Sequence, residues 1–419
     1  SADFNGHRQD MSATDWLTHA YVEQKLREYL KDEELQLEQL HSMPATAAGE
    51  NYASVMTRIN VTYKDKEQQS KADTFLIKTT FADKDPAAHI FGQYGIYVRE
   101  MNMYELVLPK LAKIIREELG DERNLFASTV DVDRERNSII FEDMSQAAYS
   151  VVDRLHQVDL EHAKLVLEKL AIFHASAAKL NERQPGMFSK DYDRCFFNRY
   201  TRAYEPIMKN MLKALACSLE DDELVHQQYA AKLSGLADHI MEYSERAMEF
   251  GKDDFVTLCH GDLWTTNMMF QYDGAKPKNA IFIDFQFSVW NSPAIDLHYF
   301  FSTSLPDDLR LHRQPELVQY YHQHLTQALS KVKYQGHVPS LFDFQMQFKQ
   351  RAFYAIFCSL VFLAAMLYSG TEHFSMEQAL STLKKDEAIR ISLYKTKLMQ
   401  SKIRNSLPFF DHIGLLDEM

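Results

Sequence analysis

The sequence predicts an α+β protein of two lobes, a β-rich lobe over residues 1–143 and a mostly helical lobe over residues 144–419. Three observations lead there. Apolar and polar residues alternate from Tyr52 to Tyr63, and further strand candidates occur between Asp73 and Phe141. From about Val151 onward the apolar residues recur at helical spacing instead. Within that second part only one short hairpin, residues 268–283, reads as β.

Taken in order, residues 14–40 read as a helix. Ser12 or Thr14 can cap it, and Trp16, Ala20, Leu26 and Leu30 recur near helical spacing. Met43 to Asn51 (MPATAAGEN) reads as a breaker-rich loop. In the strand Tyr52 to Tyr63, Ala53, Val55, Ile59 and Val61 share one face, with Ser54, Arg58, Asn60 and Thr62 on the other. The charged run Lys64 to Lys71 leads into a second strand, Asp73 to Phe81. Tyr97 to Val107 reads as a helix interrupted by Pro109; a further helix runs to Glu118, and Gly120 is placed to end it. Leu125 to Val132 and Ser138 to Phe141 form another pair of strands.

In the second lobe, Leu160 to Leu180 carries Leu160, Ala163, Leu167, Leu170, His174 and Ala177 on one stripe, so His174 reads as a core histidine with a satisfied ring. Residues 197–250 and 310–400 are also helix-periodic. Ala352 to Gly370 runs 19 residues without a charge, long enough to span a bilayer. Its polar members (Tyr354, Cys358, Ser359, Tyr368, Ser369) and charged flanks make it a buried core helix instead, with no stable membrane insertion expected.

The net charge of −13 disfavours nucleic acid as a main partner, because phosphate backbones are bound by basic surface. Four scattered cysteines (Cys195, Cys217, Cys259, Cys358) form no CxxC pair, which argues against a disulfide framework or zinc site and for a reducing, cytoplasmic setting. No apolar signal region succeeds the polar N-terminal residues.

The chemistry concentrates in His260-Gly261-Asp262-Leu263-Trp264-Thr265-Thr266-Asn267, with Ile283-Asp284-Phe285 further along the chain. Phosphoryl transfer from ATP needs a carboxylate to hold the acceptor hydroxyl and two hard oxygen ligands for magnesium. Asp262, Asn267 and Asp284 supply that set. Asp262 lies five residues before Asn267, the spacing of the kinase catalytic loop. A hairpin centred near Ala275 and Lys276 would set Asn267 opposite Asp284, with Cα atoms roughly 4.5–5.5 Å apart.

A nucleotide site also needs a loop over the phosphates and a strand lysine paired with a helical glutamate. The loop candidate is Ala47 to Ser54, in which Gly49, Glu50, Asn51 and Ser54 would meet the nucleotide. Lys78 sits in the second strand. Glu100 falls on the helical stripe of Met103, Tyr104 and Val107, where a carboxylate wants a cationic partner; Glu105 falls on the outer face. Backbone groups around Glu142 to Met144 are placed to hydrogen-bond an adenine. Beyond Asp284, Ser292-Pro293 reads as a helix start, with Asp296 in the first turn and able to brace the catalytic loop through its backbone N–H groups.

With these residues in hand, the chain resembles the ecdysteroid kinase-like (CHK kinase-like) family of insects, related to choline kinases and aminoglycoside phosphotransferases. HGDLWTTN with IDFQ, GENYAS, Lys78 and REMNMYELVLP carry the resemblance, which extends roughly from Trp16 to Lys385. It implies a protein-kinase-like fold and ATP- and Mg2+-dependent phosphorylation of a small-molecule hydroxyl, with an ecdysteroid or a xenobiotic alcohol as acceptor. It implies Asp262 as the catalytic base, Asn267 and Asp284 as metal ligands, Lys78 on the α- and β-phosphates, and Glu100 holding Lys78. Two departures stand out. The loop is poorer in glycine than in typical relatives. Gln286 replaces the glycine of D-F-G, as is normal for small-molecule kinases, and the chain has no activation loop. Phe353, Tyr354, Phe357 and Met366 suit an apolar acceptor. The alternative is a nucleotide- or hormone-binding module without catalysis, against which the intact Asp–Asn–Asp set argues.

Overall fold

The computed structural model describes residues 15–45, 54–80, 94–193, 196–198, 202–369, 376–379 and 381–418. An antiparallel sheet dominates the N-terminal region and helices dominate the rest, the arrangement of a kinase-like bilobal α+β fold. Two compact units emerge, residues 1–109 with 126–149, and residues 110–125 with 150–419. Against the boundary expected at 143/144, residues 126–149 group with the first unit and residues 110–125 with the second.

In the first unit five strands lie in the order β1-β2-β3-β5-β4. They are β1 (Gln36–Pro44), β2 (Ser54–Lys64), β3 (Ser70–Thr80), β4 (Thr129–Asp133) and β5 (Ser138–Glu142). The helix expected over 14–40 is shorter, His19–Leu30, and is capped by Thr18, whose hydroxyl accepts the Tyr21 N–H. It stops because Lys31 turns left-handed (φ 53°) and Asp32 accepts the Glu34 N–H at 3.1 Å in a local turn. The chain then extends into β1. Gln36–Pro44 contains no β-branched residue and buries only Leu37, so pairing with β2 rather than propensity makes it a strand. As an edge strand it tolerates Pro44.

One face of the sheet, with Ile59, Val61, Tyr63, Phe75, Ile77 and Ile140, packs with Val22 and Leu26 of the first helix. Lys78 points to the opposite face of β3, a central strand, with Met56 of β2 and Ile139 of β5 as its register partners. The helix carrying Glu100 runs Ile96–Asn102 and continues through a π turn, Met103–Val107, into Leu108–Glu117. Pro109 therefore does not interrupt it. A proline cannot donate to the carbonyl four residues back and crowds it. The wider turn just before it, in which the Leu108 N–H reaches back to the Met103 carbonyl, absorbs that conflict.

The second unit is built around the helix Leu160–Arg183, started by Asp159, whose carboxylate accepts the His162 N–H. The hairpin is β7 (Met268–Asp273) and β8 (Lys276–Phe282). A second small sheet, β6 (Thr257–Cys259) with β9 (Val289–Asn291), corrects the expectation of a single β element in this half. The helix Ala294–Ser304 is buried along its whole length. The charge-free stretch 352–370 forms Phe353–Met366, bent by 49° from Leu341–Gln350. Phe353 to Val361, Leu363 and Ala364 are buried. Among the described residues no single helix is long and apolar enough to cross a membrane.

Candidate active site

The first unit holds a buried ion pair. The Lys78 Nζ donates to both Glu100 oxygens, at 3.0 and 2.9 Å, with each side chain nearly out of solvent. Glu105, on the outer face, pairs with Arg134 at 2.8 Å. Removing one member of a buried pair leaves the other charge uncompensated. Lys78→Met should therefore lower unfolding free energy by roughly 3–5 kcal/mol, and Lys78→Met with Glu100→Leu should recover much of it. Urea unfolding of the three proteins decides; a double variant no more stable than the single contradicts the pairing.

At the segment expected to meet adenine, the Glu142 N–H donates to the Ser128 carbonyl (3.0 Å) and the Asp143 N–H to the Thr74 carbonyl (3.3 Å). The Glu142 side chain accepts from Tyr29 at 2.7 Å, and Asp143 is locked to Arg58 at 2.9 Å. The Met144 N–H opens a short 3-10 turn that Asp143 caps. The N–H groups of Glu142 and Asp143 are therefore committed within the fold. Ser54 begins β2, buried, opposite Thr80. Gly49, Glu50 and Asn51 lie outside the described residues.

The second unit holds the loop from His260 to Asn267. Asp262 is half-buried, and its Oδ2 accepts from the Asn267 Nδ2 at 3.1 Å. The same Nδ2 donates to the Asp262 carbonyl at 2.8 Å. Both amide protons of Asn267 are therefore spent on Asp262, which leaves Oδ1 as the oxygen that Asn267 offers to a cation. Asp262 Oδ1 accepts a short hydrogen bond from the Tyr299 hydroxyl.

The hairpin register corrects one expectation. Around the two-residue turn Gly274-Ala275, Asp273 pairs with Lys276; a bulge between Gln271 and Tyr272 then shifts the pairing, and Met268 faces Phe282. Asn267 consequently faces Ile283, whose N–H donates to the Asn267 carbonyl at 3.0 Å. Asp284 comes one residue later, in a left-handed conformation (φ 59°, ψ 62°) that costs a non-glycine residue energy and re-aims its side chain. His260 ties the two segments together. Its Nε2 donates to the Ile283 carbonyl (2.8 Å) and its Nδ1 accepts the Asp262 N–H (3.2 Å).

Asp296 holds the loop from beneath. Its Oδ2 accepts the His260 N–H (2.8 Å) and its Oδ1 the Gly261 N–H (2.9 Å). His174 donates Nε2–H to the same carboxylate at 2.8 Å, while its Nδ1 accepts from Tyr321 at 2.6 Å. Burial alone would push the Asp296 carboxyl up; the His174 hydrogen bond, the flanking imidazoles of His174 and His260 and the Gly261 N–H outweigh it and hold the group below the usual carboxylate range. Gly261 has φ 87°, and a Cβ there would stand 2.0 Å from the Phe287 carbonyl oxygen, so no other residue fits. His174, Cys259 and Asp296 also lie close enough together to suggest a metal site. Hydrogen bonds already account for them, with the Cys259 thiol turned to the Asn291 and Ser292 carbonyls.

Burial pushes the imidazoles of His260 and His298 down, His298 to about 4. His298 donates Nε2–H to the Phe348 carbonyl at 2.7 Å and stacks on that ring. Both stay neutral in the fold and take up a proton once unfolded. Their contribution is complete above pH ~6.5 and is lost as pH falls toward 4, by about 3 kcal/mol for His298 alone. Urea midpoints at pH 7, 6 and 5 should drop in that order; equal midpoints contradict the assignment.

Tyr299 and His260 carry geometry that motif reading did not assign. The signal for Tyr299 was present, since it lies one helical turn beyond Asp296 and shares its face. Comparison with known proteins adds the family. A family model described as the ecdysteroid kinase-like family matches residues 48–334, a span that contains Lys78, Glu100, Asp262, Asn267 and Asp284. No curated protein matches the chain.

Proposed function

The chain belongs to the ecdysteroid kinase-like family, and from that premise we propose that it transfers the γ-phosphoryl group of ATP, with magnesium, to a hydroxyl of a small and largely apolar molecule. Membership places it among kinase-like phosphotransferases. The single observation that carries the finer reading is the bonding of the catalytic segment. Asn267 spends both amide protons on Asp262, and His260 joins Asp262 to Ile283, the neighbour of Asp284.

The donor set fits magnesium, which takes hard oxygen ligands and few of them from protein. Asn267 Oδ1 and the Asp284 carboxylate would hold it. When bound, the ion supplies charge neutralisation to the nucleotide phosphates. The remaining work belongs to side chains. Asp262 orients the acceptor hydroxyl and takes its proton as the bond to the γ-phosphorus forms and the bond from that phosphorus to the departing ADP oxygen breaks. Lys78, held by Glu100, offsets charge on the α- and β-phosphates. Asp296 keeps the loop that carries Asp262 from sagging, so the donors need no rearrangement during transfer.

Aromatic side chains support an apolar acceptor. Around Tyr299, which touches Asp262, stand Phe196, Tyr354 and Phe362, with ring centroids 6.1–6.2 Å from it. An ecdysteroid alcohol is the acceptor to try first. The test is transfer of labelled γ-phosphate to a panel of alcohols, ecdysteroids included. A labelled alcohol product that requires Mg2+ supports the reading. Nucleotide binding without transfer to any acceptor would replace it with a silent binding module.

A further inference from the structure

We propose that Tyr299 is a positioning residue for this transfer, its phenol fixing the Asp262 carboxylate in the orientation that meets an acceptor hydroxyl. The inference rests on the function proposed above. A carboxylate on a half-buried loop is ordinarily a broad rotor about its last torsion. Here each oxygen has its own donor, the Tyr299 hydroxyl on Oδ1 and the Asn267 amide on Oδ2 at 3.1 Å. The two donors come from different elements, so neither can track a rotation of the carboxylate without breaking the other bond.

Tyr299 itself cannot shift. It is 1% exposed, stacks against Phe196, and lies in the fully buried helix Ala294–Ser304. It sits three residues after Asp296, on the same helical face. One helical turn therefore sets both the backbone of the catalytic loop, through Asp296 to His260 and Gly261, and the side chain that does the chemistry, through Tyr299 to Asp262. Burial and the neighbouring carboxylate raise the phenol well above its ordinary range, so it remains a donor at every working pH.

Tyr299→Phe removes one oxygen and keeps the ring. Wild type and variant are compared with Mg·ATP, using water and an ecdysteroid alcohol as acceptors. The variant's kcat should fall at least about tenfold, since small misplacement of a reacting group is costly. Its KM for ATP and the melting shift produced by Mg·ATP should match wild type. An unchanged kcat overturns the inference. So does a fall in kcat accompanied by equal losses in ATP KM and melting shift, which would assign Tyr299 to packing alone. A wild-type protein that transfers to neither acceptor overturns the functional reading with it; an active wild type and an unaffected variant overturn only the role of Tyr299.

Discussion

Asp262→Asn should slow phosphoryl transfer by a factor of about 10²–10⁴, the range that a positioned proton acceptor contributes. Mg·ATP binding should survive, because the oxygens of Asn267 and Asp284 are untouched. The structure also sets a limit on how conservative this change is. The Asp262 carboxylate accepts from Tyr299 on one oxygen and from Asn267 on the other. An amide can accept on only one side, so one of the two bonds becomes a clash of donors. A modest loss of stability, about 1–3 kcal/mol for the unpaired group, should accompany the loss of rate. Steady-state rates with labelled ATP, read beside a thermal-shift titration with Mg·ATP, separate the two effects. Transfer at the wild-type rate would remove Asp262 from the chemistry.

Asp296 should have a large effect on both stability and rate. Asp296→Ala strands two backbone N–H groups and the Nε2–H of His174, all in buried residues. Breaking a buried charged network from one side costs roughly 3–5 kcal/mol. The catalytic loop then has no acceptor beneath it, so rate should fall even at temperatures where the variant stays folded. Urea unfolding gives the first number and kcat on the folded variant the second. A variant as stable as wild type would mean that Asp296 does not carry the loop.

Much of this was legible in the sequence because the determinants are local. Asp262 and Asn267 share one loop, and Lys78 and Glu100 succeed one another as strand and helix with matching inward faces. Asp296 announced itself through Ser292-Pro293; the Ser292 hydroxyl accepts the Ala294 N–H at 3.2 Å, although Pro293 rather than Ser292 is the cap of the helix Ala294–Ser304. The features that were not legible depend on pairing. β1 looked like the tail of a helix because nothing in Gln36–Pro44 favours a strand until β2 lies beside it. The offset of Asp284 from Asn267 comes from the two-residue turn Gly274-Ala275, which alone would set Asn267 opposite Phe282, less the one residue that the bulge at Gln271/Tyr272 restores. β6 and β9 are three residues each, too short to show a period. The contact of Tyr299 with Asp262 spans 37 residues; helical spacing puts Tyr299 on the face of Asp296, but only the folded chain brings it to Asp262.

The central claim is that Asn267 and Asp284 hold a divalent cation under a nucleotide, beside Asp262. The most direct measurement is an experimental structure of the protein with magnesium and a non-hydrolysable ATP analogue. The account predicts a cation bonded by Asn267 Oδ1 and an Asp284 oxygen at about 2.0–2.1 Å, with phosphate oxygens completing its shell. A nucleotide bound elsewhere, or a cation bonded to neither side chain, would contradict it.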